Sequence, residues 1–191
     1  MTTWEFVTQR EHRKAALFVC GLLLAQQMLG INAAVLHGVS ILQTLLPRAS
    51  SYINVLISIG NLTITLVASA FFDRVSHKTL LLISMVGMGS FAFLLAIGIA
   101  NGVAILSAVA FFCFVGCYAI GLGPLPFMVA SKTVSYRAVD AAQSAGLVVN
   151  WLGTFAVGFA VPIIPTVVAF VGFGLMGYIS SALVWWGVDT Y

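Results

Sequence analysis

Few side chains in this sequence can do chemistry, and nearly all of them are neutral amides and hydroxyls set inside long apolar runs. Gln26, Gln27, Asn32 and His37 fall in one run, Asn54, Ser58, Asn61 and Thr65 in the next, and Asn150, Trp151 and Thr154 in a later one, with nothing acidic among them. Hydrogen bonding is the chemistry on offer. A carboxamide donates and accepts at once, and polar groups at membrane depth sit against other helices or a watery cavity, which makes them the default functional candidates. Asn54, Ser58, Asn61 and Thr65, separated by four, three and four residues, line one helix face that is expected to point inward. Asn150 and Thr154 are an i, i+4 pair, with Trp151 expected on the same side. Gln26, Gln27 and Asn32 fan out around a straight helix and share a wall only if it unwinds near Gly30, so a local break is predicted there. The same residues also fit a second role, as interhelical hydrogen-bond glue worth about 1 kcal/mol with no ligand involved.

A backbone device accompanies them. In Gly121-Leu122-Gly123-Pro124-Leu125-Pro126-Phe127 two prolines remove two donors, and the carbonyls one turn earlier lose their partners. This helix must bend or open. Gly121, Gly123, Pro124 and Pro126 then read as a hinge, or as a simple kink. Gly30, Ala34 and Gly38, and later Gly172, Gly174 and Gly177, make small-residue stripes for close helix packing. Cys20, Cys113 and Cys117 are an odd set within apolar runs and read as core residues. Cys113 and Cys117 lie one turn apart without further ligands nearby, so no metal is assigned, and no cofactor. Asn61-Leu62-Thr63 matches a glycosylation sequon at a depth where no acceptor is modified.

The elements that must position these groups follow from composition. The chain has 191 residues, 61% hydrophobic and 7% charged, against roughly 25% charged in soluble domains. A bilayer core about 30 Å thick asks for about 20 apolar residues per helix. Apolar runs between charges and turn signals predict six transmembrane helices at about 14–44, 52–72, 79–99, 103–131, 141–163 and 166–187. A segment 1–13 precedes them and a tail 188–191 follows. The breaks lie at Pro47-Arg48, at Asp73 to Lys78, at the uncharged turn Asn101-Gly102, at Lys132 to Asp140 and at Pro162 to Pro165. Runs such as 79–100 are continuously apolar, which excludes barrel strands. The first run is too long for a signal peptide and carries amides inside it. Of eight Lys and Arg residues, seven share one side if the amino terminus is cytoplasmic, and only Arg48 lies on the other. Both termini are therefore predicted cytoplasmic. The net charge of +3 serves topology and implies no nucleic acid.

Four motifs carry a family resemblance. Gln26-Gln27-Met28-Leu29-Gly30-Ile31-Asn32-Ala33 resembles the seventh-helix signature of the sugar porters of the major facilitator superfamily, which include the glucose facilitators. Asn61, ahead of the loop Asp73-Arg74-Val75-Ser76-His77-Lys78, falls where the family has its eighth-helix asparagine. Gly121 to Phe127 is similar to the tenth-helix proline motif, and Asn150-Trp151 matches the Asn-Trp of the eleventh helix. The combination also resembles a divergent fungal branch that includes yeast vacuolar-protein-sorting relatives. The resemblance implies an all-α membrane protein, one six-helix carboxy-terminal half of the superfamily fold. It further implies that Gln26, Gln27, Asn32, Asn61 and Asn150 hydrogen-bond sugar hydroxyls, while Phe127 and Trp151 offer apolar faces to the ring. No covalent step is needed, so an enzyme is not expected.

Departures from the family pattern matter equally. The cytoplasmic Gly-Arg-Arg triplet reads Ser76-His77-Lys78, a glutamate position holds Lys132, an arginine position holds Val139, and another glutamate position holds Ala119. The outer-gate aromatics read Leu36 and His37. A sugar porter has two six-helix halves with the substrate between them, so the resemblance implies a second half, a homodimer partner or a truncated gene. The expected activity is passage of a sugar or small polyol across the bilayer by alternating access, passive because no carboxylate lies in a span. The alternative is a non-transporting homologue that acts as a sensor, sorting factor or remnant. No address in the sequence separates plasma membrane from vacuolar membrane.

Overall fold

A computed structural model describes residues 2–36, 50–72 and 74–187, and the described residues form helices and turns with no strand. His37, Gly38, Pro47, Arg48, Asp73 and the tail 188–191 lie outside them, as does the side chain of Asn54. The chain opens with α1, Thr3–Thr8, started by a capping box in which Thr2 and Glu5 satisfy each other's backbone N–H. These two bonds measure 2.8 and 3.3 Å. The Thr2 backbone N–H first, and the Thr2 hydroxyl second, also hold the Glu5 carboxyl below its ordinary value of 4.5. Phe6 of this helix is buried in a small cluster with Ala16, Ala138, Ala141 and Ala142.

Helix α2, Arg13–Met28, ends at Leu29. Gly30 has φ +83° and the chain re-enters a helix, α3, over 31–36. The break expected near Gly30 is present. A left-handed φ costs an L-residue roughly 1–2 kcal/mol, and a Cβ here would lie 2.3 Å from the Phe173 ring, so glycine is required twice over.

Helices α4, Ser50–Ser69, and α5, His77–Ala100, follow, the latter capped by Ser76. The uncharged turn after α5 is built by Gly102 at φ +65° and by Asn101, whose Nδ2 donates to the Ile97 carbonyl at 2.8 Å. Helix α6, Ala104–Cys117, runs into a π-turn at Tyr118–Leu122, and α7, Leu125–Thr133, restarts beyond Pro124. Two long helices close the chain, α8, Val139–Ala160, and α9, Thr166–Gly187.

Among the described residues, four stretches are long and apolar enough to cross a bilayer: Arg13–Leu36, His77–Ala100, Ala104–Thr133 and Thr166–Trp186. The chain is an integral membrane protein. Among the described residues, Val55–Ser69 of α4 forms a shorter apolar helix. Helix α8 has 22 residues, but Gln143, Ser144, Asn150 and Thr154 dilute its hydropathy.

Helix α5 is the packing centre, lying along α6 and α9, while α2 lies along α8. Lipid supplies no hydrophobic force between helices, so close contact must come from small residues. A Cβ on Gly177 would sit 2.9 Å from both Gly89 Cα and the Met85 carbonyl, which shows the α5 and α9 backbones in direct contact. Met85, Met88, Leu95, Phe111, Phe114 and Phe170 fill the space around this contact. The Phe114 and Phe170 rings meet edge to face at 6.1 Å.

Candidate functional site

The proline motif creates a problem that the rest of the site solves. Pro126 has no N–H to give to the Leu122 carbonyl, and an orphan carbonyl at membrane depth is costly. The Gln26 amide on α2 supplies the missing donor: its Nε2 donates to the Leu122 carbonyl at 2.7 Å, to the Tyr118 hydroxyl at 3.1 Å and to the Gly123 carbonyl at 3.3 Å. Ser84 of α5 repairs the other side of the same opening. Its hydroxyl accepts from the Leu122 N–H at 3.0 Å and donates to the Cys117 carbonyl at 2.6 Å, bridging the two ends of the π-turn. Gly123 N–H donates instead to Tyr118 five residues back, the π-turn pattern. Gly121 lets α5 come this close, since a Cβ there would lie 2.6 Å from the Leu80 carbonyl oxygen. The glycines and prolines thus open the helix, and side chains from two neighbours hold it open.

From Gln26 the network extends to α8 and α3. Asn150 Nδ2 donates to Gln26 Oε1 at 2.8 Å and to the Leu23 carbonyl at 3.3 Å. Asn32 Nδ2 donates to Gln27 Oε1 and, at 3.0 Å, to Thr154 Oγ1. Thr154 donates in turn to the Asn150 carbonyl. Gln26, Gln27 and Asn150 are 2, 3 and 9% exposed. The unwound turn at Gly30 is what allows Asn32 to face Gln27 across the break.

Not every polar atom is used. Among the described residues Gln27 Nε2, Asn32 Oδ1 and Asn150 Oδ1 have no protein partner. The site therefore holds one spare donor group and two spare acceptors around a single corner of α2, α3 and α8.

Three expected members lie elsewhere. Trp151 is one residue from Asn150, hence about 100° around the helix, and it is 65% exposed instead of sharing the amide face. It borders an open groove with Leu36, Thr154, Phe155 and Phe159. Phe127 is half-buried, packs near Val19, Leu23 and Ala130, and borders a second opening on the same flank of α8 with Gln143, Ser144 and Leu147. The described members of the α4 stripe do not face into this bundle: Ser58 is exposed and Asn61 and Thr65 are partly so, whereas Ile57 and Ala68 are buried. Asn61 sits at the edge of that buried face, apart from the amide network. Sequence reasoning left out Ser84 and Tyr118. A serine inside the very apolar α5 was the available signal.

At the basic end of the bundle, Lys132 Nζ lies 3.1 Å from His77 Nε2, and Lys78 Nζ lies 5.3 Å from the centre of the Trp185 ring. Two of the positions that depart from the family pattern are thus in contact, as a lysine–histidine pair.

Comparisons with known proteins agree with this architecture. A probable metabolite transport protein of Saccharomyces cerevisiae is 38% identical over 176 residues, 92% of this chain and 34% of that protein. Vacuolar protein sorting-associated protein 73 of the same yeast is 31% identical over 185 residues, 95% of this chain and 38% of the relative. Human facilitated glucose transporter member 4 is 28% identical over 81% of this chain and 31% of its own length. The chain thus spans about a third of the curated relatives it matches. The inward-open xylose transporter XylE from E. coli superposes with a TM-score of 0.85 at 18% identity, over 98% of this chain and 42% of that one. A family model described as sugar (and other) transporter matches residues 1–188, nearly every residue from α1 to α9, and the chain belongs to that family.

Proposed function

We propose that this chain is the substrate-binding and moving half of a carrier for a sugar or a similar small polyhydroxylated solute, working passively by alternating access. The observation that carries the reading is the spare hydrogen-bond capacity at the amide corner. A buried, unpaired amide group costs about 1–3 kcal/mol, and a hydroxyl ligand, donor and acceptor together, recovers it at Gln27 Nε2, Asn32 Oδ1 and Asn150 Oδ1. No bond of the solute is made or broken, so the role is not enzymatic. The relatives' names, which include glucose transporters and a metabolite transport protein, point the same way.

On this reading six helices cross the bilayer with both termini cytoplasmic, following the one-sided basic residues. A second six-helix unit covers the flank of α8 where Trp151, Leu152, Phe155 and Phe159 are exposed. Asn61, Phe127 and Trp151 then close the site from the rim, and the opened Tyr118–Gly123 segment is the hinge, because its bonds to Gln26 and Ser84 are side-chain bonds that can exchange partners without unwinding a helix.

The likeness to a vacuolar protein sorting-associated protein favours a second reading, a sorting or sensing membrane protein that kept the fold. Hexose-dependent thermal stabilisation of the purified chain in detergent separates the two, with oligomeric mass measured alongside. Stabilisation that disappears in Gln27→Met and Asn61→Ala, both still folded, is the expected result. A folded wild-type chain that responds to no hexose or polyol overturns the transport reading and leaves the second.

A further inference from the structure

A cleft of about 180 Å3 separates α2 from α9, walled by Leu17, Phe18, Gly21, Leu22, Ser180 and Val184. It lies on the side of α2 away from the amide network, since Gly21 and Leu17 stand about 140° and 180° around the helix from Gln26. The walls are apolar, with one exception. Ser180 is 4% exposed, borders the cleft, and its hydroxyl has no hydrogen-bond partner among the described residues.

The rim carries charge. Arg13, Leu17 and Gly21 are spaced by four, as are Lys14, Phe18 and Leu22, so both cations stand one turn before the cleft walls on the same faces. Both are exposed, and neither has an ion-pair partner among the described residues. Val184 faces Phe18 across the cleft, and the next two residues of α9, Trp185 and Trp186, are largely exposed. Tryptophan at such a level marks the membrane interface. Ser180 lies seven residues inside the end of α9 at Gly187, roughly 10 Å down a helix, where an interfacial layer about 5–8 Å deep gives way to hydrocarbon.

We infer that this cleft holds the ester-proximal stretch of one acyl chain of an anionic phospholipid, with its phosphate-bearing headgroup held by Arg13 and Lys14 and an ester carbonyl accepting from the Ser180 hydroxyl. The apolar walls take the chain, the orphan hydroxyl matches the only polar group a lipid carries at that depth, and the rim selects negative charge. A second copy of this chain does not fit the same face, because an isologous contact would set Arg13 and Lys14 against their own equivalents. The site is independent of the amide corner and of what that corner binds.

The test uses the full chain in mild detergent, with native mass spectrometry counting retained palmitoyl-oleoyl-phosphatidylserine against phosphatidylcholine of the same chains. Phosphatidylserine is expected to be retained preferentially. Each juxtamembrane cation is worth about fivefold in affinity, so Arg13→Gln with Lys14→Gln should weaken phosphatidylserine by about 25-fold and leave phosphatidylcholine unchanged. Gly21→Leu fills the cleft from a position where an added Cβ meets nothing within 4 Å, and should lower retention of both lipids with helix content intact. Gly172→Leu, at a second glycine with open space, is the control and should change neither. Equal retention of the two lipids by wild type overturns the proposal, as does phosphatidylserine binding that survives Gly21→Leu. A lipid-free dimer that Gly21→Leu dissociates would also overturn it, by giving the cleft to a second copy.

Discussion

Replacing Gln26 with leucine keeps the volume near that of the glutamine and removes every bond that holds the broken helix to α2. The Leu122 carbonyl then has no donor at all, because Pro126 cannot supply one, and Asn150 Nδ2 keeps only the longer contact to the Leu23 carbonyl at 3.3 Å. Two buried groups left unpaired cost about 1–3 kcal/mol each by the general rule, while bonds between membrane helices measure nearer 0.6–2. The expected loss is about 2–4 kcal/mol, roughly 30- to 800-fold in the folding equilibrium. Reversible unfolding in mixed micelles, followed by helical circular dichroism, measures it. The pairing of Gln26 with Asn150 adds a sharper test. In the double variant Gln26→Leu, Asn150→Leu the asparagine no longer has a donor to lose, so about 1–2 kcal/mol of the summed single losses should be recovered. Single variants within about 0.5 kcal/mol of wild type, or strict additivity, would refute the view that Gln26 braces the opening at the prolines.

Three further outcomes are expected. Ser84→Ala leaves the Leu122 N–H and the Cys117 carbonyl without their bridge, and should lower stability by about 1–3 kcal/mol while speeding hydrogen exchange at the Leu122 amide, measured by mass spectrometry. Gly30→Ala should cost more than the roughly 1–2 kcal/mol of its backbone strain, because the new methyl also meets the Phe173 ring; Phe173→Leu should restore only the steric part in thermal unfolding. The Glu5 carboxyl is held below its ordinary value in the folded chain, so its contribution is complete above pH 4.5 and is lost as the pH falls through the lowered folded value. Exchange protection of α1 should fall across that acidic window, and Glu5→Gln should flatten the dependence.

Much of the amide corner was legible because polar side chains stand out against apolar runs. Gln26, Gln27, Asn32, Asn150 and Thr154 come together, and the turn at Gly30 that joins them is signalled by three amides no straight helix can align. The partners of the proline motif were not legible in the same way. Pro124 and Pro126 announce freed carbonyls, but nothing local says that Gln26 and Ser84 reach them, since those contacts are set by how α2 and α5 pack. Trp151 shows the opposite error. Adjacency to Asn150 in sequence means a different face on a helix, and the indole stands on the exposed flank. Asn61 illustrates a third limit, because period alone defines a face without saying which neighbour covers it. The short helix α1 was not read from the sequence, where residues 1–13 stand only as a segment before the first span, although Thr2 and Glu5 have the spacing of a capping box.

The bond between Gln26 and the Leu122 carbonyl also has a bearing on how the chain is made. Its partners are separated by 96 residues, and at about 5–20 residues per second a ribosome needs roughly 5–20 s to synthesise the stretch between them. During that interval α2 has left the exit tunnel and must either enter the bilayer with Gln26 unanswered or wait beside the insertion machinery. The Leu122 carbonyl of the proline-broken segment in turn has no donor until α2 is beside it. Biogenesis of this bundle is therefore paced by the arrival of its fourth long helix, and the interval before that arrival is when quality control can still tell a nascent chain from a finished one.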